Sequence, residues 1–153
     1  MKNKLRIPLL AIAFILALVV TSSGTSFVLA TTERHSAGAA IATDTNSGHL
    51  RIYTGADTNG PNGAVTGTLL VDWTLNATNT DTGGVITLGT VSNVNASATG
   101  TAGYFRILKS DGSTAIADGD VGTSATSLVL NTTSIVSGGP CSLSGTITVP
   151  AGT

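Results

Sequence analysis

The stretch from Gly100 to Pro150 decides the fold of this chain, and it reads GTAGYFRILKSDGSTAIADGDVGTSATSLVLNTTSIVSGGPCSLSGTITVP. Short runs within it alternate apolar and polar residues, which is the period of a half-buried β-strand. Gly, Asp, Ser or Pro separates the runs, as expected for tight turns. The stretch therefore predicts an antiparallel sheet that carries almost no charge and no evident catalytic group.

The composition of the whole chain agrees with a β-protein of small side chains. Its 153 residues suffice for one domain and a leader. Charged residues make up 10% of the chain and aromatic residues 4%, whereas about 25% charged residues is typical. A 41% hydrophobic content and a net charge of −1 argue against a disordered chain. We expect a thinly packed core, because few aromatic rings are present to fill it.

Basic residues are concentrated at the N-terminus. Lys2, Lys4 and Arg6 account for three of the seven basic residues, and every acidic residue lies at or beyond Glu33. The rest of the chain thus carries four basic residues (seven minus three) against eight acidic ones, a net charge of −4. This balance argues against nucleic-acid binding, which needs basic patches to neutralise phosphates.

The N-terminal 30 residues form a hydrophobic leader that allows three interpretations. A basic start, the apolar run from Ile7 to Val20 and the acceptable cleavage site Val28-Leu29-Ala30 are typical of a secretory signal cleaved before Thr31, although Phe27, Val28 and Leu29 make the region before that site less typical. Residues 7–30 are also an uncharged run long enough to span a bilayer, so a retained membrane or assembly helix is the second interpretation. An upstream misassigned start is the third.

The rest of the chain predicts an all-β fold: a single antiparallel β-sandwich, immunoglobulin-like or jelly-roll-like, preceded by the N-terminal hydrophobic helix. Residues 31–47 are predicted as an arm or short helix over Thr31 to Ala42, capped by Thr31 or Thr32, and residues 48–153 as the sandwich domain. Loops are expected at Gly55 to Gly63 and Asn76 to Gly84, and a hairpin turn at Ser110 to Ser113. About eight short strands are drawn from the runs His49–Thr54, Gly67–Leu75, Val85–Leu88, Thr90–Val94, Ala102–Lys109, Thr114–Ala117, Ser127–Leu130, Thr133–Val136 and Cys141–Val149.

Few residues are candidates for a metal or catalytic site. Asp111, Asp118 and Asp120 lie close in sequence and carry the oxygen ligands that Ca²⁺ prefers, but their spacing favours turn formation. His35 and His49 are the only histidines, and their separation does not indicate a metal site. The sequence holds neither a Gly-x-Ser-x-Gly elbow nor a phosphate-binding loop. We therefore predict no catalytic, cofactor-binding or metal-binding residues, and no cofactor.

Other conspicuous residues favour packing over chemistry. Cys141 is the only cysteine, which rules out an intrachain disulfide, and its alternating run places it on one face with Leu143, Ile147 and Val149. Trp73 lies in an alternating strand and is interpreted as a core residue rather than a ligand platform. Three triplets match the glycosylation pattern, which chance explains in a chain so rich in Thr, Ser and Asn: Asn76-Ala77-Thr78, Asn95-Ala96-Ser97 and Asn131-Thr132-Thr133.

The pattern as a whole resembles small proteins of tailed bacteriophages and prophages that are regarded as virion structural proteins. The likeness covers about Thr31 to Ala151 and departs from the family at the front, where relatives begin near Thr31 with a short helical arm. The resemblance implies a β-sandwich and a role in the particle, and it supplies no catalytic residues. It rests on four segments: Tyr104 to Gly112, Asp118 to Thr123, Leu128 to Ile135 and Ile147 to Pro150.

The function expected from these observations is structural. The first hypothesis is a phage head-decoration, tail or fibre-associated subunit, whose partners are copies of itself and other subunits of the particle. The alternative is an exported prokaryotic surface or filament subunit, pilin-like, with contact to a membrane only through residues 7–30 if the leader is retained. We do not expect an enzyme, because the chain has little material for acid–base chemistry. Edge strands with so few charges predict oligomerisation, since neighbouring subunits would then cover them.

Overall fold

The computed structural model describes residues 28–150, which form one helix and eleven short strands. The predicted leader lies outside the described residues, apart from its last three. No helix within residues 28–150 is both long and apolar enough to cross a membrane. In chain order the elements are α1 (Thr31–Thr45), β1 (His49–Thr54), β2 (Leu69–Thr74), β3 (Thr80–Thr82), β4 (Val85–Thr87), β5 (Val94–Asn95), β6 (Gly100–Leu108), β7 (Ala115–Gly122), β8 (Leu128–Val129), β9 (Ser134–Ile135), β10 (Pro140–Cys141) and β11 (Thr146–Thr148).

The structure is mostly β, as predicted, and its sheets are curled into a half-barrel-like arrangement. The central sheet has the strand order β2-β1-β6-β7-β8, and β9 also pairs with β6. Two smaller sheets accompany it, one of β10 and β5 and one of β11, β4 and β3. All pairs are antiparallel except β7 and β8, which run parallel across a loop of five residues, 123–127. The expectation of purely antiparallel pairing is therefore wrong at this edge.

The two faces of the central sheet differ in chemistry because side chains alternate along each strand. Leu50 and Ile52 of β1 lie opposite Ile107 and Phe105 of β6, as the alternation in the sequence predicts. This apolar face builds the main core, which also contains Trp73, and residues of β8, β10 and β11 pack against it. The opposite face carries the charged and tyrosine side chains, and we call it the polar face.

A β-bulge redirects the chain at the start of this polar face. The pairing of β1 with β6 shifts after Tyr53, so that Gly103 has no partner between Ala102 and Tyr104. A Cβ at Gly103 would lie 1.7 Å from the carbonyl oxygen of Gly55, so only glycine permits this approach. The bulge places Ala102 in the core while Tyr104 points to the polar face.

The helix packs on the three-stranded sheet and builds a second, smaller core. Ala42, Ile86 and Val149 form its centre, and Ile147 of β11 contacts both this cluster and the main core. The helix was predicted to end at Ala42, but it continues to Thr45, whose buried hydroxyl accepts a hydrogen bond from the amide of Asn79 at 3.2 Å. The predicted threonine cap is wrong: Ala30 holds the cap position and makes no side-chain hydrogen bond to the helix.

Several strand boundaries also differ from prediction. The predicted loop from Asn76 to Gly84 contains β3, which pairs with β4. The predicted strand from Thr90 to Val94 is reduced to β5, and the last predicted strand, Cys141 to Val149, is divided into β10 and β11. The return strand after the hairpin turn was expected to end at Ala117, but β7 continues to Gly122. Two aspartates of this extension bind partners outside β7: Asp118 pairs with Arg106, and Asp120 accepts a hydrogen bond from Ser127.

Candidate functional site

Arg106 is the centre of the strongest polar cluster in the molecule. Its side chain is 4% exposed, and it forms a two-pronged ion pair with Asp118 on the neighbouring strand, at 2.8 and 2.6 Å. Two further guanidinium hydrogens are donated to the carbonyl oxygens of Gly63 at 2.9 Å and Gly60 at 2.8 Å. Planar, two-pronged pairs of this kind are the most geometrically specific of charged hydrogen bonds. Arg106 therefore fixes the loop between β1 and β2 to the central sheet.

Two carboxylates, Asp57 and Asp118, lie near this arginine, and their pKa values are shifted in opposite directions. Burial raises the pKa of Asp118, against the effect of Arg106, because its side chain is 6% exposed. The hydrogen bond with Asp118 lowers the pKa of Asp57, and the amides of Asn59 and Gly60 lower it further. The lowered pKa favours the ionised form of Asp57, whose carboxylate accepts hydrogen bonds from the loop amides of Asn59 and Gly60.

Two tyrosines continue the polar face beside the arginine. The rings of Tyr53 and Tyr104 are stacked, with centroids 5.1 Å apart and planes inclined by 16°. The hydroxyl of Tyr104 accepts a hydrogen bond from the amide of Thr66 at 3.0 Å and donates one to its carbonyl oxygen. Burial raises the pKa of Tyr53. Tyr104 therefore holds the far end of the loop that Arg106 holds in its middle.

A second ion pair links β1 with β2 and with the hairpin turn. Arg51 donates to Asp72 at 2.9 Å and to the carbonyl oxygen of Gly112 at 3.0 Å, and His49 contacts the other oxygen of Asp72 at 2.9 Å. Burial lowers the pKa of Arg51, but the hydrogen bond and charge of Asp72 raise it more, so it lies above its ordinary value. The turn is thereby tied to the sheet by a β1 side chain that lies 61 residues away along the chain.

The three aspartates considered for calcium are not brought together. Asp111 accepts hydrogen bonds from the amides of Ser113 and Thr114, both at 2.8 Å, which confirms its role in the hairpin turn. Asp118 and Asp120 lie in β7 rather than in a turn, so that interpretation was wrong for them. Asp120 accepts a bond from the amide of Ser127 at 3.0 Å and closes the loop before β8. Within residues 28–150, no group of three or more His, Cys, Asp or Glu side chains is placed to hold a metal ion.

The two histidines lie at separate places in the fold. His49 belongs to the polar face, whereas His35 lies on α1, where its ring contacts the carboxylate of Asp81 on β3. The Asp81 side chain is buried beneath the helix, and in the described part of the chain its Oδ1 atom has no hydrogen-bond partner. That oxygen lies against Gly38: a Cβ at this position would come within 2.0 Å of it. Close packing therefore requires glycine at position 38, although glycine has a low helix propensity.

Cys141 and Trp73 are packing residues, as the sequence indicated. Trp73 is buried in the main core, and its indole N–H donates to the carbonyl oxygen of Cys141 at 3.3 Å. Cys141 is half-buried against the same core as Leu143, while Val149 belongs to the smaller core. Of the three glycosylation triplets, Asn95 and Asn131 are exposed and Asn76 is half-buried.

Several hollows open on the described surface, and three of them lie near the residues discussed above. A depression of about 370 Å³ lies beside the Arg106 cluster, where Asp57, Asp118 and Asp120 contribute to its wall. The other two lie on the apolar side of the sheet. One, of about 350 Å³, is lined by Trp73 and Leu130 among others, and a second, of about 430 Å³, lies between β6 and the segment 143–148.

Sequence reasoning did not single out Arg106, Asp57 or Tyr104. One signal was available: a hairpin centred on Gly112 places Arg106 directly opposite Asp118, as the observed register shows. A second signal was the alternation of β1, which puts Arg51 and Tyr53 on the side away from Leu50 and Ile52. Asp57 had no such signal, because its position depends on the course of a long loop.

Comparisons with protein-family models, with curated proteins and with solved structures find no match to this chain.

Proposed function

We propose that this chain is a non-enzymatic structural subunit of a bacteriophage virion, associated with the head surface, the tail or a fibre, and that it acts by self-assembly. One observation carries the proposal: the charged groups of the polar face are bonded to one another and to loop carbonyls. Arg106 and Arg51 each donate to a carboxylate of the sheet and also to carbonyl oxygens of a loop or turn. A protein that works by shape needs loops held in this way, because they form its contact surfaces.

The resemblance of Tyr104 to Pro150 to virion proteins supports the same function. So does the course of the chain after Asp120: residues 121–153 contain no Lys, Arg, Asp or Glu. The centres of subunit interfaces are depleted of charged residues. A long charge-free segment that reaches the surface therefore suits a protein surrounded by copies of itself.

We further propose that the domain is a single β-sandwich of the immunoglobulin-like or jelly-roll-like kind. The apolar face of the central sheet supports this, because β10 and β11 pack over it with their partner strands. Two sheets stacked about 10 Å apart around a shared core define a sandwich. A crystal structure tests this; continuous pairing around a closed barrel would overturn it.

Mass spectrometry of purified phage particles tests the proposed function. The protein is expected among the particle components, and its absence from particles that carry the gene would overturn the proposal. Trypsin is a poor choice of protease, because residues 31–153 offer only Arg34, Arg51, Arg106 and Lys109 as cleavage sites. A protease that cleaves before aspartate has seven sites in the same region and gives better coverage.

The N-terminal leader favours one alternative, an exported prokaryotic cell-surface or filament subunit with the same head domain. The uncharged run of residues 7–30 motivates it, since proteins assembled in the cytoplasm need no export signal. Sequencing the N-terminus of the protein isolated from cells distinguishes the cases within this alternative. A start at Thr31 supports plain secretion, and a start at Met1 supports an anchor or assembly helix. Capsid and tail genes beside this gene would instead favour the virion.

A further inference from the structure

A short hinge, residues 46–48, joins the helix α1 to the central sheet, and its backbone is strained. Ser47 has a φ of 54°, in the left-handed region that residues other than glycine rarely adopt. It closes a turn in which the amide of Gly48 donates to the carbonyl oxygen of Thr45 at 3.0 Å. This turn folds α1 back onto its own domain. An extended φ at Ser47 would relieve the strain and direct the helix away from that domain.

The contact that holds α1 against the smaller sheet buries only small side chains of the helix. Its buried residues are Gly38, Ala42 and Thr45, and Ile41 is half-buried beside them. The docked helix also covers the Asp81 carboxylate, whose Oδ1 atom has no hydrogen-bond partner among residues 28–150. An unsatisfied buried oxygen weakens a contact. We therefore expect α1 to separate from the sheet more readily than the strands of the main core separate from one another.

The same contact is nevertheless specific for α1, because its polar groups are matched one to one. Arg34 Nε donates to the carbonyl oxygen of Val149 at 3.2 Å. At the other end of the helix, Lys109 Nζ donates to the carboxylate of Asp44 at 2.9 Å. A second copy of the chain carries an identical helix, which fits this site with the same bonds. The structure thus shows what occupies the site, whichever copy supplies the helix.

We propose that α1 is an exchangeable arm: the helix of one copy docks on the β3-β4-β11 sheet of a second copy and receives that copy's helix in return. The inference rests on the proposed self-assembling function and names the element that performs it. Every contact of the docked helix is kept, and only the hinge changes, from a turn to an extended segment. Short hinges under strain favour such an exchange, which joins two copies without a newly evolved surface.

Relief of the strain at Ser47 tests the exchange, with analytical ultracentrifugation of the full chain over a concentration series. In Ser47→Gly the left-handed φ is no longer strained, so the dissociation constant of the dimer is expected to rise at least about tenfold. Ser47→Val disfavours this φ further and is expected to lower the dissociation constant. The net charge of −4 beyond the leader opposes the approach of two copies, so the measurements use about 0.15 M salt, which screens it.

Ala125 provides the matched control position. It is exposed, it has a φ of 52°, and it lies in the loop between β7 and β8, away from the hinge. Ala125→Gly and Ala125→Val change the strain of a left-handed residue in the same two directions. Both are expected to associate as the wild type does. Fluorescence of the buried Trp73 verifies that all four variants are folded.

Coupling of Asp44 to Lys109 shows directly which copy supplies the helix. Isotope-labelled and unlabelled full chains are refolded together and treated with a carbodiimide, which joins a carboxylate to an adjacent amine as an amide. An exchanged helix links Asp44 of one chain to Lys109 of the other. Linked peptides with one labelled and one unlabelled half are therefore expected, in a proportion that rises with concentration. Lys109→Met is the control, because it removes the amine of this pair.

The outcomes separate the inference from the proposed function. If Ser47→Gly associates as the wild type does, the exchange is wrong while self-assembly through another surface stands. The same holds if the linked peptides of an associating sample never combine the two labels. If the wild type remains a monomer at every concentration, the self-assembling function is overturned and the exchange with it.

Discussion

Among single residues, Arg106 is the one on which the polar face most depends. Replacing it by methionine keeps much of the side-chain volume but leaves the buried Asp118 carboxylate without its partner. Breaking a buried ion pair on one side costs about 3–5 kcal/mol. We expect Arg106→Met to lower the free energy of unfolding by about 3 kcal/mol, measured by denaturant unfolding with Trp73 fluorescence as the probe.

Two further variants separate this effect from simple loss of charge. Lys109→Met removes an ion pair with Asp44 in which the two side chains are 41% and 45% exposed. The expected loss in the free energy of unfolding is at most about 0.5 kcal/mol. Arg106→Met combined with Asp118→Leu removes both buried charges and is expected to recover part of the loss, because no carboxylate is then left unpaired. Equal costs for Arg106→Met and Lys109→Met would contradict this account.

Gly38 is a second residue whose role the packing reveals. In an isolated helix, alanine is favoured over glycine by about 1 kcal/mol. Here the added Cβ would lie 2.0 Å from Asp81 Oδ1 and 3.1 Å from the Gly84 Cα atom. Overpacking of this kind costs about 1–3 kcal/mol, so we expect Gly38→Ala to be destabilising in thermal unfolding despite its better helix propensity.

The same substitution in an Asp81→Ala background provides the control for Gly38. With the carboxylate removed, the close contact with the Gly84 Cα atom at 3.1 Å remains, and Gly38→Ala is expected to be clearly less destabilising than in the wild type. The difference between the two backgrounds measures the coupling between helix and strand. A stabilising Gly38→Ala in the wild-type background would show that the helix does not pack on β3 as described.

At the scale of elements, the long loop between β1 and β2 depends on two side chains from β6. Tyr104→Phe removes both hydrogen bonds to Thr66 while the stacked rings remain. We expect faster proteolysis and faster amide exchange in residues 55–68, with a loss of global stability of only about 1 kcal/mol. Tyr53→Phe is the control, because it keeps the stack and leaves the bonds to Thr66 in place. Equal protection of the loop in both variants would contradict the role of Tyr104.

Three aspartates that hold turns and loops predict the acid stability of the fold. Hydrogen bonds from neighbouring hydroxyl and amide groups lower the pKa of Asp111 and Asp120, and the bonds from Asp118 and the loop amides lower that of Asp57. A carboxylate whose pKa is lower in the folded state stabilises the fold at pH values above its unfolded pKa, here 3.8. This stabilisation is lost as the pH falls through the pKa of the folded state. Asp118 contributes to stability in the opposite direction, because its pKa is raised in the fold. Its contribution therefore decreases as the pH rises above 3.8.

We therefore expect the free energy of unfolding to decrease steeply below pH 3.8. Asp111→Asn is the sharpest test, since it removes one of the lowered carboxylates from a solvent-exposed turn. The slope of the unfolding free energy against pH reports how many more protons the unfolded chain binds than the folded one. Below pH 3.8 this number should be smaller in the variant, by up to about one proton. Parallel slopes for variant and wild type, measured by denaturant titration at several pH values, would rule out the contribution of this turn.

The elements also show how far the sequence alone predicts this fold. β1 and the hairpin turn at Asp111 were correct because local alternation and turn chemistry determine them. β3 was missed because its residues, Thr80 to Thr82, are polar and become a strand only through pairing with β4. The parallel pairing of β8 was missed as well, since a two-residue strand has no period from which its neighbour can be inferred.

At the scale of the whole molecule, the two faces of the central sheet have different roles. The polar face fixes loops through buried charges, and the apolar face holds the core against the C-terminal strands. The contacts of Arg106 with Gly60 and Gly63 were outside the reach of sequence reasoning, because they join positions more than 40 residues apart. Fold class follows from local patterns, whereas the site depends on which loop returns to which strand.

The two hydrophobic cores are joined mainly through β11, and this predicts how the molecule unfolds. Ile147 contacts both cores, so Ile147→Ala is expected to lower stability by about 2 kcal/mol and to weaken their coupling. The helix signal in circular dichroism should then be lost before the fluorescence signal of Trp73, whereas both coincide in the wild type. Ile135→Ala is the matched control, because Ile135 belongs to the main core alone, and it should lower stability with coincident signals. Coincident transitions in Ile147→Ala would show that other contacts hold the two cores together.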